Sequence, residues 1–110
     1  MDKRKQRRLE TQGWRVGTAA DFLGLSPEEM ALVELRLKLS TALRIRRTKL
    51  HLSQTALAKR LRSSQSRVAK MEAADPTVSL DLLVRGLLAL GATPRDLANA
   101  IRAAEPFIAA

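Results

Sequence analysis

The chain has no cysteine, no tyrosine and a single histidine, His51. Without thiols there is no disulfide and no thiolate metal site, and one imidazole cannot assemble a zinc cluster. Aromatic residues are scarce: Trp14, Phe22 and Phe107 make up 3% of the chain, so a core must be built from Leu, Ala, Val, Ile and Met. No glycine-rich phosphate loop occurs, and apart from carboxylate pairs no catalytic set of side chains is evident. An enzyme is therefore not expected, and neither is a cofactor or a metal. The longest apolar run, around Leu87 to Ala92, falls far short of the ~20 residues of a membrane span. The basic start, Lys3 to Arg8, leads into Leu9-Glu10-Thr11-Gln12 rather than an apolar stretch, which is not the pattern of a signal peptide. A cytoplasmic protein is expected.

What is present is basic charge. The 110 residues carry 20 Lys plus Arg against 11 Asp plus Glu, a formal net charge of +9, with 45% hydrophobic residues, enough to bury a core in one domain. The excess is concentrated. Residues 36–72 hold eleven bases and one acid, whereas residues 18–35 hold four acids (Asp21, Glu28, Glu29, Glu34) and no base. A solubilising charge would be spread around; a concentrated one makes a local field that recruits phosphate. The plain alternative is an ordinary solvated basic face.

Residues 1–25 read as a basic arm and leader with Trp14 as a packing anchor, residues 26–105 as the folded domain, and 106–110 as an apolar tail. Ser26-Pro27-Glu28-Glu29 has the residues of a capping box, with Pro at the first helical position. The helix it opens contains a conflict. Val33 to Leu39 alternates apolar and charged residues, a strand period, yet these are strong helix formers with few β-branched members. We read a helix to about Lys49 with two apolar stripes, Met30, Val33 and Leu37 on one, and Leu32, Leu35, Leu39, Leu43 and Leu50 on the other. Shorter helices follow: Ser53 caps a run to Leu61, Ser64 a run to Ala73, Ser79 the run Leu80 to Leu90 ended by Gly91. Thr93 caps the last, with Pro94 first and Asp96 third, carrying Leu97, Ile101 and Ala104 inward until Pro106 stops it. No strand is convincing, so an all-α fold of about five helices is expected.

Residues 52–72, LSQTALAKRLRSSQSRVAKME, then read as two short helices joined by a link of two or three residues. Val68 and Met71 lie one turn apart on the buried side of the second helix, leaving Gln65, Ser66, Ala69 and Lys70 outside. Such a face suits a major groove: Gln pairs with adenine N6 and N7, Lys with guanine O6 and N7, and Ser with several edges. The N–H groups and positive dipole at the two helix starts suit phosphates.

At these residues the chain resembles the XRE family, the helix-turn-helix domains of phage repressors and Cro proteins. The resemblance rests on Leu52-Ser53-Gln54, Leu57-Ala58, Ser64-Gln65-Ser66, Val68 and Met71-Glu72, followed by Ser79-Leu80 and Ala89-Leu90-Gly91, and spans roughly residues 39–98. It implies a lambda-repressor-like five-helix domain, here with an extended first helix and a basic N-terminal arm. The third helix of such a domain reads double-stranded DNA, normally as a homodimer on a two-fold operator. By the same resemblance Gln65, Ser66 and Lys70 are the base readers. Gln54 contacts phosphate and braces the first reader, Arg67 contacts phosphate or a flanking base, and Glu72 ties the end of the reading helix to the domain; Ser64, and Arg62 as a departure from the family, are further candidates for phosphate contact. Where the family often has Gly, this chain has His51, Arg62 and Ala74, and left-handed backbone there costs non-Gly residues about 1 kcal/mol.

The expected function is transcription regulation by sequence-specific DNA binding, most simply repression by a nucleoid-associated homodimer. The upstream segment, with Gly13 to Gly17 and Asp21 to Glu29, resembles the leader of HigA-type antitoxins. That resemblance implies the alternative of an antitoxin holding a small basic toxin and repressing its own operon. Candidate dimer surfaces are Leu97, Ile101, Phe107 and Ile108, or the spare stripe of the first helix. His51 is expected only at a helix end.

Overall fold

The computed structural model describes residues 24–103. The basic arm with Trp14, Phe22 and Leu23 of the leader, and Ala104, Pro106, Phe107 and Ile108, lie outside the described residues. Between them run five helices, α1 (Pro27–Lys49), α2 (Gln54–Arg60), α3 (Gln65–Glu72), α4 (Leu80–Ala89) and α5 (Pro94–Arg102), with no strand among the described residues. The alternating stretch Val33 to Leu39 is helical and α1 runs to Lys49, so residue propensity and the capped start outweigh the strand-like period.

Local chemistry starts every helix. Ser26, Ser53, Ser64, Ser79 and Thr93 each sit in extended backbone, and each hydroxyl accepts the amide N–H of the third helical residue. At two of them the box is complete: the Ser26 amide donates to Glu29 at 2.9 Å and the Thr93 amide to Asp96 at 2.8 Å. Each cap satisfies a donor that a helix start otherwise leaves orphaned, a stabilisation of about 1 kcal/mol.

The first four helices end alike. The Leu52 amide donates to Arg47 O and that of His51 to Thr48 O. The same pair of bonds recurs at Ser63 and Arg62, at Asp75 and Ala74, and at Ala92 and Gly91. These are Schellman turns, whose pivotal residue is left-handed. Only α4 places glycine there, Gly91 at φ 86°; His51, Arg62 and Ala74 hold φ values of 57°, 53° and 57°. The expected left-handed conformation is therefore kept at all three positions despite their side chains. Ala74→Gly is expected to stabilise the domain by about 0.5–1 kcal/mol net, the relief of strain outweighing the greater freedom of glycine in the unfolded chain. Urea titration of the two proteins measures it.

The core forms where α1 crosses the short helices. Leu39 and Leu43 of α1 meet Leu57 and Ala58 of α2, Val68 and Met71 of α3, and Leu83, Leu87 and Leu90 from α4 and its end, with Val78 and Ala92 from the flanking loops. α4 approaches closely because residue 86 is glycine: a Cβ there would lie 2.9 Å from Met71 Cε and 3.2 Å from Leu43 Cδ1. Of the two stripes of α1, only Leu39 and Leu43 are fully buried. Leu32 and Leu50 are each 46% exposed, and Met30, Val33 and Leu37 are only half-buried. At 1.5 Å per residue the 23-residue α1 is about 35 Å long, and helices of seven to ten residues cover only part of it. Ile101, expected inward, is 42% exposed, and α5 has no fully buried residue, because α5 packs chiefly on α1. Ala69, expected outside, is half-buried.

Polar ties fasten α1 to the rest. Arg36 Nε donates to Val78 O, Lys38 Nζ to Ile101 O, and Arg46 Nη2 to Asp96 at 2.9 Å. The Thr93 amide, then the Arg46 guanidinium and the Thr93 hydroxyl, hold the Asp96 carboxyl down at about 2. A carboxyl depressed in the folded state stabilises it fully above its unfolded pKa, and the contribution is lost as pH falls through the folded value. The pH dependence of the thermal midpoint between pH 5 and about 2 should accordingly be shallower in Asp96→Asn than in the parent.

Candidate nucleic-acid interface

α2 and α3 pack against each other through Leu57, Ala58, Val68 and Met71, all nearly inaccessible. Their link is the Schellman turn at Leu61-Arg62-Ser63, ended by Ser64 as the cap of α3. With Val68 and Met71 fully buried, α3 turns Gln65, Ser66, Arg67 and Lys70 outward, and all four are exposed. The left-handed backbone at Arg62 turns the chain sharply enough to bring α3 back across α2, and the Arg62 side chain is exposed there.

The structure divides the residues singled out above into two groups. Arg62, Ser64, Ser66, Arg67 and Lys70 line one open groove of about 760 Å³, together with Ser63, Thr77, Val78, Ser79 and Leu82. Ser64 Oγ, 3.3 Å from Ser66 Oγ, is the acceptor that caps α3, and its hydroxyl hydrogen can still be donated. Three cationic side chains with serine and threonine hydroxyls over apolar packing make a surface that attracts a sugar-phosphate backbone. One acid lies near it: Asp75 accepts from the Thr77 hydroxyl and amide at 2.6 and 2.8 Å. Those two donors, with smaller contributions from Lys70 and Arg36, hold its carboxyl below the usual range, so it stays ionised and shapes the loop leading to α4.

Gln54 and Gln65 form the second group, on the other side of α3. Gln65 Nε2 donates to Gln54 Oε1 at 2.7 Å, and Gln54 Nε2 donates to Glu72 Oε1 at 3.1 Å. Glu72 in turn holds Arg47 of α1. Arg47 Nε donates to Oε2 and Nη2 to Oε1 at 2.9 Å, while Nη1 donates to Leu52 O at 2.7 Å. The ion pair is the most enclosed of the structure's ion pairs among the described residues, with side chains 14% and 5% exposed. Glu72 thus raises the already high pKa of Arg47 further. The bracing of Gln65 by Gln54 and the tie from Glu72 into the domain are both present as hydrogen bonds.

Sequence reasoning missed Thr77, Ser79 and Leu82 as groove residues. Ser79 was legible only as a helix cap, because nothing in a linear pattern places the start of α4 beside α3. Arg47 was legible only as one of many bases. Among the described residues no cluster of three or more His, Cys, Asp or Glu is placed to hold a metal, and no helix is long and apolar enough to cross a membrane.

Two helices at this short spacing, the second with a polar outward face in a basic groove, define a helix-turn-helix unit, and with it a DNA-binding regulator. A helix-turn-helix family model matches residues 43–97, from the core end of α1 to the middle of α5 and half of the chain. The protein belongs to the XRE family of helix-turn-helix proteins. Comparison with curated proteins and with solved structures returns no significant match.

Proposed function

We propose that this protein is a sequence-specific transcriptional repressor that occupies a two-fold operator as a homodimer. Gln65, Ser66 and Lys70 face base edges, and Gln54, Arg62, Ser64 and Arg67 face phosphates. The observation that carries this reading is the exposed face of α3, with the groove of Arg62, Ser64, Ser66, Arg67 and Lys70 on one side and the braced Gln65 on the other. A single α3 reads too few bases for useful specificity, and two-fold pairing sets two such helices about one turn, ~34 Å, apart. The basic residues of segment 1–25 add an arm to this domain, and residues 106–110 a short apolar tail. The place of action is the cytoplasm, at the nucleoid. Band-shift titration against a duplex from upstream of its own gene, in moderate salt, should show clear preference over random duplex; equal affinity for both sinks the reading.

One observation favours a second role. The start of α1, residues 27–35, has no fully buried residue, exposes Leu32, and carries Glu28, Glu29 and Glu34 with no base, before Arg36 and Lys38 follow. A basic partner protein such as a toxin fits that acidic, partly apolar face, and the repressor would then be an antitoxin as well. Co-purification of a small basic protein encoded next to this gene, lost on Leu32→Asp, supports the role; an unchanged complex with that variant removes it.

A further inference from the structure

The start of α4 is held from outside the groove. We infer that Arg36 is a positioning residue for contact with the DNA backbone: by holding the Val78 carbonyl it sets Ser79 on the groove wall, where the serine hydroxyl donates to a phosphate. The inference rests on the DNA-binding role proposed for the groove.

Ser79 caps α4, and its carbonyl accepts the first bond within that helix, from the Leu83 amide. The carbonyl before it, Val78 O, therefore has no place in the helix ladder. Val78 is only 5% exposed, and a carbonyl left unpaired at such a position is costly. Arg36 Nε, on α1 and 42 residues away, donates to it at 3.3 Å. A peptide group is planar, so holding Val78 O also fixes the direction of the Ser79 amide. The core holds the Val78 side chain at the same time. Ser79 accordingly enters α4 in extended backbone, φ −75° and ψ 153°, and its Oγ accepts from the Leu82 amide at 3.1 Å.

Of the two hydroxyls that this loop brings to the groove, Ser79 is the one with a hydrogen to give. The Thr77 hydroxyl already donates to Asp75 at 2.6 Å, and the oxygens of a backbone phosphate only accept. Ser79 Oγ serves α4 as an acceptor, which leaves its hydrogen to be donated into the groove it shares with Arg62, Arg67 and Lys70. Arg36 lies outside the lining of that groove, and it precedes residues 43–97 that the family model matches. The early part of the long α1 thus acts as a strut for the wall of the groove that faces α3.

Two neutral variants separate the hydrogen bond from the charge. In Arg36→Gln the side-chain NH2 stands as many bonds from Cα as the arginine Nε does, so it can donate to Val78 O, whereas Arg36→Met has no donor. Both lose the same positive charge. The full chain is titrated with a duplex from upstream of its own gene and with random duplex, well below the thermal midpoint of each variant. Arg36→Met should bind every duplex about three- to tenfold more weakly than Arg36→Gln, the effect of one hydrogen bond. The two should share one slope of log K against log salt, because neither variant removes a phosphate contact made by residue 36 itself. With Ser79→Ala added to both, the difference between them should vanish. In the free protein the Leu82 amide should exchange with solvent faster in Arg36→Met than in Arg36→Gln. The Ala56 amide, which donates to the Ser53 cap of α2, should exchange alike in both, whereas a general loss of stability would speed both amides. Equal affinities of the two variants overturn the inference, and so does a difference that survives Ser79→Ala. If the parent binds no duplex at all, the DNA-binding role of the groove fails, and the inference with it.

Discussion

Glu72→Ala is expected to lower the stability of the domain by about 3–5 kcal/mol, because it strands the Arg47 guanidinium. Three of the guanidinium nitrogens are committed, two of them to Glu72, in a site where the side chains are 14% and 5% exposed. A pair in bulk solvent would contribute little when removed, since water replaces the partner. Here the charge stays where water reaches it poorly, and Gln54 loses its acceptor as well. For a domain of this size each kcal/mol corresponds to roughly 4–8 °C in the thermal midpoint, so a fall of about 15 °C or more is expected by calorimetry. The double variant Arg47→Met with Glu72→Leu should recover much of the loss, because apolar replacement removes both desolvation costs together. A loss under about 1 kcal/mol for Glu72→Ala would place the pair with ordinary surface ion pairs.

Arg62→Ala combined with Arg67→Ala is expected to weaken binding to every duplex by on the order of tens-fold at 0.1 M salt. It should also make the dependence of log K on log salt shallower by about two. Both side chains line the groove beside Lys70 and belong to no ion pair among the described residues, so their charge is available to phosphate. The signature is uniformity: the ranking of duplex sequences should be unchanged while all affinities fall. A loss confined to one sequence would assign these residues to base reading instead. Stability should not suffer, and removal of the left-handed Arg62 side chain beyond Cβ leaves the turn as it is.

Nearly every helix boundary was legible in the sequence because helix ends are set by near neighbours. Ser26 with Glu29 and Thr93 with Asp96 cap within three residues, and Lys49 ends α1 because the chain turns left-handed at His51. The buried face of α3 was legible too, since Val68 and Met71 alone recur at helical spacing there. The errors share one cause. Leu32, Leu50 and Ile101 are apolar residues at core-like spacing, and whether such a residue is covered depends on how far a neighbouring helix extends, which no period records. Gly86 is the converse case, a helix-weakening residue by propensity that is buried against the side-chain ends of Met71 and Leu43.

Local chemistry was enough to set the five helices, their serine and threonine caps, and the placing of charge in residues 36–72, because all of these depend on residues a few positions apart. The two surfaces that matter for DNA needed the folded chain. Only packing brings Thr77 and Ser79 beside Arg62 and Lys70 to complete the groove. Only packing sets Arg47, from another helix and 25 residues away, against Glu72. Hydrogen bonds and ion pairs act over about 3 Å, so a contact between distant residues exists only once a core has brought their helices together.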